Sequence, residues 1–252
     1  MTETGSDYTP PPPPEKPNSF ARIAGVFFDP GDTFASIVRK PDFLVPICVI
    51  SFFAIIGGVL AGLRLDTAAL MREALQNNPR LSPEMIDKQA RLMGGFMKLV
   101  FFCSPIVSII SLAIIAGILF AAFKLFGGEG EFPQALSIIL YAWMPMMIKG
   151  ILGTALLLSK KSITMETLKN PIASNIGYFI NFKAHPVLAT FLASADVFTI
   201  WYIVLLTIGF AAMSRFSRAK SAAIIVSLWA VTVFLQVAGA AVSALAAARS
   251  AQ

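Results

Sequence analysis

The chain has 252 residues, of which 56% are hydrophobic and 13% are charged. Soluble domains have about a quarter of their residues charged, so this composition excludes a soluble globular protein and predicts a membrane protein. The net charge of +6 is spread over loops between apolar runs, which indicates anionic lipid headgroups rather than nucleic acid as the counter-charge.

The N-terminal tail, residues 1–19, is rich in proline and lacks the apolar core of a cleavable signal. The run from Pro10 to Pro14 predicts a disordered tail with an exposed polyproline II segment. A tether is the favoured interpretation, and a ligand for an aromatic groove is the alternative. The membrane domain is therefore expected to cover residues 20–252.

Two short amphipathic helices are predicted at the start of this domain. Residues 20–27 and 34–38 each place apolar side chains on one helical face, a turn at 29–31 separates them, and Pro41 ends the second. Both are expected to lie in the membrane interface, with basic side chains near lipid phosphates. Including one later loop, the predicted lipid-surface contacts are Arg22, Arg39, Lys40, Arg215, Arg218 and Lys220.

Five apolar runs reach the roughly 20 residues that a transmembrane helix needs. Backbone polar groups in hydrocarbon must be satisfied within the segment, and the runs lack the alternation of barrel strands, so helices are expected. The prediction is an all-α integral membrane protein, a bundle of five transmembrane helices with interfacial amphipathic helices. The spans lie at about 43–63, 99–126, 135–158, 186–213 and 222–247.

The connecting segments also carry signals. Residues 65–76 predict a helix, and Ser82 followed by Pro83 predicts the capped start of another that continues into the second span. The glycine-rich stretch 127–134 is typical of a tight turn. In the long third loop, apolar residues within 172–180 predict an interfacial amphipathic helix.

Lys149 and Asp196 place charges inside the third and fourth predicted spans. If these spans are antiparallel neighbours, the two residues lie about 13 and 15 Å from the same membrane surface, so we expect an ion pair. Together with Tyr141, Pro145 and Trp201 they could form a polar pocket or ion path. The favoured interpretation is a purely structural ion pair, or a lysine that extends to the interface.

No catalytic or metal-binding pattern is present in the sequence. Cys48 and Cys103 lie inside apolar runs, and His185 is the single histidine. Nucleophile-elbow and His-Glu-x-x-His motifs are missing. We therefore expect a protein that is not an enzyme and that uses no metal and no cofactor.

Three stretches are similar to the Yip1 family of membrane proteins, in its prokaryotic branch. They are "FFDPGDTFASIVRKPDFLVP", "FGGEGEFPQALSIILYAWMP" and "DVFTIWYIVLLTIGFAAM". The resemblance implies a five-span protein of a prokaryotic cytoplasmic membrane with a cytoplasmic N-terminus, an orientation that the short, acid-free "SRFSRAK" loop also favours. Eukaryotic members act in vesicle traffic with small prenylated GTPases, but this chain lacks the Tyr-Gly-Pro motif expected of them.

Two functions remain as hypotheses. The first is a membrane scaffold or adaptor that engages anionic lipid or a membrane-protein partner through its basic amphipathic helices. The alternative is a transporter or channel component that uses Lys149 and Asp196. Small residues at 239–244 would permit close helix contact, within one bundle or between copies in a homo-oligomer.

Overall fold

A computed structural model describes residues 18–76, 81–160, 163–164, 167–168, 170–182 and 184–250, with side chains described as far as residue 245. The predicted polyproline segment lies outside the described residues. All regular structure within the described part of the chain is helical. The all-α prediction is therefore confirmed.

Five helical stretches are long and apolar enough to cross a membrane, which confirms the predicted five-span bundle. They are Leu44–Arg64, Ser104–Leu125, Phe132–Ser159, Val197–Ser214 and Arg218–Leu245. The helices are α1 Ser19–Phe28, α2 Pro30–Arg39, α3 Leu44–Arg64, α4 Thr67–Leu75, α5 Pro83–Phe102, α6 Ser104–Leu125, α7 Phe132–Ala142, α8 Met144–Ser159, α9 Pro186–Ser194, α10 Val197–Ser214 and α11 Arg218–Ser250.

The predicted helix starts and the glycine turn are confirmed. Asp66 caps α4 by accepting a hydrogen bond from the Ala69 N–H, and Ser82 caps α5 with Pro83 in its first turn. Between α6 and α7, Gly127 and Gly130 have φ angles of 83° and 103°. Only glycine adopts this backbone without strain, so the turn reverses the chain within a few residues.

Three predicted spans are not continuous helices. The second is interrupted at Cys103, one residue before α6 begins, and Pro105 lies in the first turn of α6. The third changes helix at Trp143, with Pro145 in the first turn of α8. Each proline removes one backbone donor and clashes with the preceding turn, which explains these two breaks. The fourth span is broken between α9 and α10.

The amphipathic helix predicted over residues 172–180 is wrong, because the described residues there form only a 3-10 turn at Ile176–Phe179. This loop is packed against α9 through Gly177. A Cβ on Gly177 would lie 2.6 Å from the Ala189 carbonyl oxygen, so the two backbones are in close contact. The loop therefore folds back onto the bundle.

The core lies where α2, α6, α7 and α10 meet. Both amphipathic helices predicted near the N-terminus are present, but the apolar face of α2 contacts protein rather than lipid. Phe34 and Ile37 have no exposed surface, and a Cβ on Gly209 of α10 would lie 3.0 Å from the Phe34 ring. In α1, Phe20 and Phe28 remain 64% and 88% exposed.

Candidate intramembrane polar site

Asp196 lies at the break between α9 and α10. Its Oδ1 accepts a hydrogen bond of 2.9 Å from the Phe198 N–H, so the carboxylate caps the first turn of α10. A helix N-terminus favours a negative charge, and its first N–H groups otherwise lack partners. Asp196 is only 1% exposed, and the break therefore places a buried carboxylate in the bundle.

Lys149 of α8 forms the predicted pair with Asp196. Its Nζ lies 3.0 Å from Asp196 Oδ2, and its side chain is 25% exposed. The pairing is confirmed, but the expected continuous helix around Asp196 is not. Asp196 lies at a helix end, where its backbone and side chain can both meet a third segment.

That third segment is the loop before α9. The Ser174 hydroxyl and the Asn175 Nδ2 both donate to Asp196 Oδ2, the latter at 3.2 Å. Asn175 also exchanges two amide hydrogen bonds with Asn170, of 3.0 and 3.1 Å. The Val197 N–H donates to the Ser174 carbonyl oxygen at 3.1 Å, so the loop is bound to the start of α10 by backbone and side chains.

Sequence reasoning missed Ser174 and Asn175. Both lie inside the stretch that was interpreted as the apolar face of a helix, where polar residues would be assigned to the opposite face. The available signal was that Ser174 and Asn175 follow Asn170 and Pro171 within a few residues, a cluster of residue types that is typical of turns.

The chemistry of this polar site favours a structural role. One ammonium and three uncharged donors surround Asp196, and an ionised carboxylate accepts about four hydrogen bonds. A buried ion pair offsets its desolvation cost only when such additional hydrogen bonds are made. The described residues contain no cluster of three or more His, Cys, Asp or Glu side chains that could hold a metal ion.

Two residues predicted for this site lie elsewhere. Tyr141 Oη donates to Asp42 Oδ2 at 3.0 Å, and the Trp201 ring packs edge-on against Phe27 with centroids 5.3 Å apart. Both contacts are with the N-terminal segment, because α1 and α2 pack beside α7 and α10. Pro145 is buried at the start of α8, one turn before Lys149. Lys149, Asp196 and Pro145 therefore lie at or near the ion pair, whereas Tyr141 and Trp201 lie against the N-terminal segment.

We call Arg22, Asp42 and Tyr141 the N-terminal clasp. Arg22 is 6% exposed and donates to the carbonyl oxygens of Lys40 and Ser36 at 3.0 and 3.3 Å. The prediction that Arg22 contacts lipid is corrected by this geometry, since the packing of α1 on α2 turns its guanidinium inward. The clasp joins α1, the start of α3 and α7.

The Asp42 carboxyl is the titratable acid of the clasp. Partial burial by itself would raise its pKa, but hydrogen bonds from Ser19, Tyr141 and the Leu44 N–H, and the positive charge of Arg22, together hold the pKa of Asp42 below its usual value. The folded protein therefore stabilises the ionised carboxylate.

The other five predicted lipid contacts are exposed and lie around the turn between α6 and α7. Gln134 Nε2 donates to the Val38 carbonyl oxygen at 2.9 Å, which places the end of α2 beside the turn that leads into α7. Arg215 pairs with Glu129 of that turn, Nε to Oε2 3.0 Å. We call this group the basic surface: Arg39, Lys40, Arg215, Arg218 and Lys220.

Comparison with known proteins supports the resemblance. The family model described as "Yip1 domain" matches residues 24–240. The chain is also similar to "Membrane protein YknW" of Bacillus subtilis (strain 168), with 26% identity over 198 residues, which cover 77% of this chain and 78% of that protein. No solved structure matches this chain.

Proposed function

The chain belongs to the Yip1 domain family, and from that premise we propose that it is a non-enzymatic membrane scaffold or adaptor. In this proposal the basic surface and the exposed side of α1 engage anionic lipid headgroups or a membrane-protein partner. The proposal extends to location: a prokaryotic cytoplasmic membrane with the N-terminus in the cytoplasm, where the anionic leaflet attracts cations.

The observation that carries the proposal is the contrast between Phe28 and Phe34. Phe28 is 88% exposed at the end of α1, whereas Phe34 in the next helix is fully buried. The core contacts of α2 therefore hold α1 in place, and the clasp adds hydrogen bonds to the same segment. An anchored helix that presents an exposed aromatic side chain suits a lipid surface or a partner.

Deleting residues 18–40 would not test this proposal, since it would remove Phe34 and Ile37 from the core. Surface substitutions separate binding from folding. The test compares the wild-type protein, Phe28→Ser and the double variant Arg39→Gln with Lys40→Gln. Lys88→Gln, an exposed lysine of α5, is the matched control.

Two measurements on these variants cover the two binding modes. Native mass spectrometry reports phosphatidylglycerol that remains bound to the purified protein, and a photo-crosslinking amino acid at position 28 reports a contacting protein in native membranes. The proposal predicts one of two results. Either the double variant retains less phosphatidylglycerol than wild type, or position 28 crosslinks to a discrete protein and the double variant abolishes this crosslink. If lipid retention is the same in all variants and position 28 crosslinks to no protein, the scaffold proposal is wrong.

A transporter or channel component is the second candidate function. The buried pair of Lys149 and Asp196 at a broken helix favours it, because discontinuous helices and intramembrane charges are typical of ion and substrate paths. Purified protein in proteoliposomes should then produce a flux that Lys149→Ala abolishes and Lys88→Ala leaves unchanged. Absence of flux for every ion and solute tried would refute this candidate.

A further inference from the structure

A cavity of about 310 Å³ opens where α3 and α8 end, on the side of the bundle opposite the N-terminal helices. Small-ligand pockets are about 300–1,000 Å³, so the cavity is large enough for a compact headgroup. The residues that line it include Arg64, Asp66, Leu157, Leu158, Lys160 and Ile163.

The cavity has two exposed cations on its rim. Arg64 is the last residue of α3, and Lys160 directly follows α8. Among the described residues, neither the Arg64 guanidinium nor the Lys160 ammonium forms a hydrogen bond or an ion pair. Two unpaired cations of this kind can share one phosphate group.

The same rim carries carboxylates. Asp66 uses Oδ1 to accept a hydrogen bond of 2.9 Å from the Ala69 N–H, and this contact leaves its second oxygen available. Glu73 also lines the cavity, although it has a contact of its own. These carboxylates would repel a ligand that carries only negative charge. A ligand with both a phosphate and an ammonium would complement the cations and the carboxylates of the rim.

The remaining wall is apolar. Leu157, Leu158 and Ile163 contribute side chains, and Leu65 and Leu70 close the cavity with exposures of 8% and 4%. Two candidate membrane-spanning segments end here, so the cavity lies where headgroups and acyl chains meet. A ligand that is polar at one end and apolar at the other fits this lining.

We propose that this cavity binds a phospholipid with a primary-amine headgroup, of the phosphatidylethanolamine class. Its phosphate contacts Arg64 and Lys160, its ammonium donates to Asp66, and an acyl chain follows the apolar wall. Phosphatidylcholine has the same charges but no N–H donor for Asp66, and phosphatidylglycerol has no cation. This inference does not rest on the proposed scaffold function, since the basic surface lies at the other end of the bundle.

The test uses the full-length protein in detergent with added phosphatidylethanolamine, phosphatidylcholine or phosphatidylglycerol. Native mass spectrometry then gives the retained fraction of each lipid. Wild-type protein should retain phosphatidylethanolamine more strongly than phosphatidylcholine. The double variant Arg64→Gln with Lys160→Gln should bind it at least about tenfold more weakly, the loss expected when one charge-assisted contact is removed. Lys88→Gln, at an exposed position of α5, should bind like wild type.

A second variant separates the ammonium contact from the phosphate contact. Asp66→Asn keeps a residue that can cap α4, so the fold should be preserved. It should lose the preference for phosphatidylethanolamine over phosphatidylcholine while it still binds both lipids. Equal retention of phosphatidylethanolamine and phosphatidylcholine by the wild-type protein, or unchanged binding of phosphatidylethanolamine in the Arg64 and Lys160 double variant, would overturn the proposal.

Discussion

Lys149 Nζ lies 3.0 Å from Asp196 Oδ2 and joins α8 to the start of α10. The two partners are not equivalent. Lys149 makes this one ion pair and is 25% exposed, whereas Asp196 also accepts hydrogen bonds from Ser174, Asn175 and the Phe198 N–H. Asp196 therefore holds the helix break and the preceding loop together, and Lys149 neutralises its charge.

This asymmetry predicts unequal effects of the two alanine substitutions. Asp196→Ala should destabilise the protein by about 3–5 kcal/mol, because it breaks a buried pair and removes the acceptor for three other donors. Lys149→Ala should cost about 1–3 kcal/mol, since Asp196 keeps those donors. The measurement is the melting temperature of purified protein in detergent, followed by tryptophan fluorescence. Equal losses would contradict the assigned roles.

The charge swap is expected to fail. Lys149→Asp combined with Asp196→Lys keeps the opposite charges, but a lysine at 196 cannot accept the bonds from Ser174 and Asn175. The double variant should therefore melt no higher than Asp196→Ala. Full recovery of the wild-type melting temperature would show that charge pairing alone matters at this position.

Gly177→Ala should loosen the loop that reaches Asp196. A Cβ there would lie 2.5 and 2.6 Å from backbone atoms of Ala193 and Ala189, which cannot move without shifting α9. We expect a loss of about 1–3 kcal/mol, typical of overpacking. Gly150→Ala in α8 is the matched control, because a Cβ at Gly150 would meet no atom within 4 Å. If both variants melt at the same temperature, the loop does not pack against α9 as described.

Asp42 should contribute to sensitivity towards acid. Its pKa is lower in the folded protein than in the unfolded chain, so its stabilising effect is complete above the ordinary aspartate pKa of about 3.9 and disappears as the pH falls through the folded value. Asp42→Asn should therefore lower the melting temperature at neutral pH and show a smaller further loss below about pH 4 than wild type. Asp32→Asn, at an exposed position of α2, is the control. An unchanged pH profile for Asp42→Asn would exclude this role.

Cysteine labelling tests the proposed orientation. In a variant with Cys48 and Cys103 replaced by alanine, single cysteines are introduced at the exposed positions Ser82 and Ser217, on opposite sides of the bundle. A cytoplasmic N-terminus predicts that an impermeant maleimide labels Ser82→Cys in intact cells and Ser217→Cys only after permeabilisation. The reverse pattern would place the N-terminus outside.

The five-span bundle, the glycine turn, the caps of α4 and α5 and the pairing of Lys149 with Asp196 could be predicted from the sequence. Each depends on local pattern: run length, helix start signals, and the rule that an intramembrane charge needs a partner at the same depth. The Yip1 resemblance likewise rests on motifs that are visible in the chain and was confirmed by the match to residues 24–240.

The sequence by itself thus determined which segments are long and apolar enough to cross a membrane and which charges must meet. Only the tertiary structure decided which further residues form hydrogen bonds with these charged side chains. Ser174 and Asn175 reach Asp196 because the loop folds back on α9, and Arg22 and Tyr141 bond within the clasp because α2 packs into the core. An amphipathic pattern shows that one face of a helix is apolar, but that face can be buried equally well against lipid or against protein. The choice between them is made by the neighbouring helices.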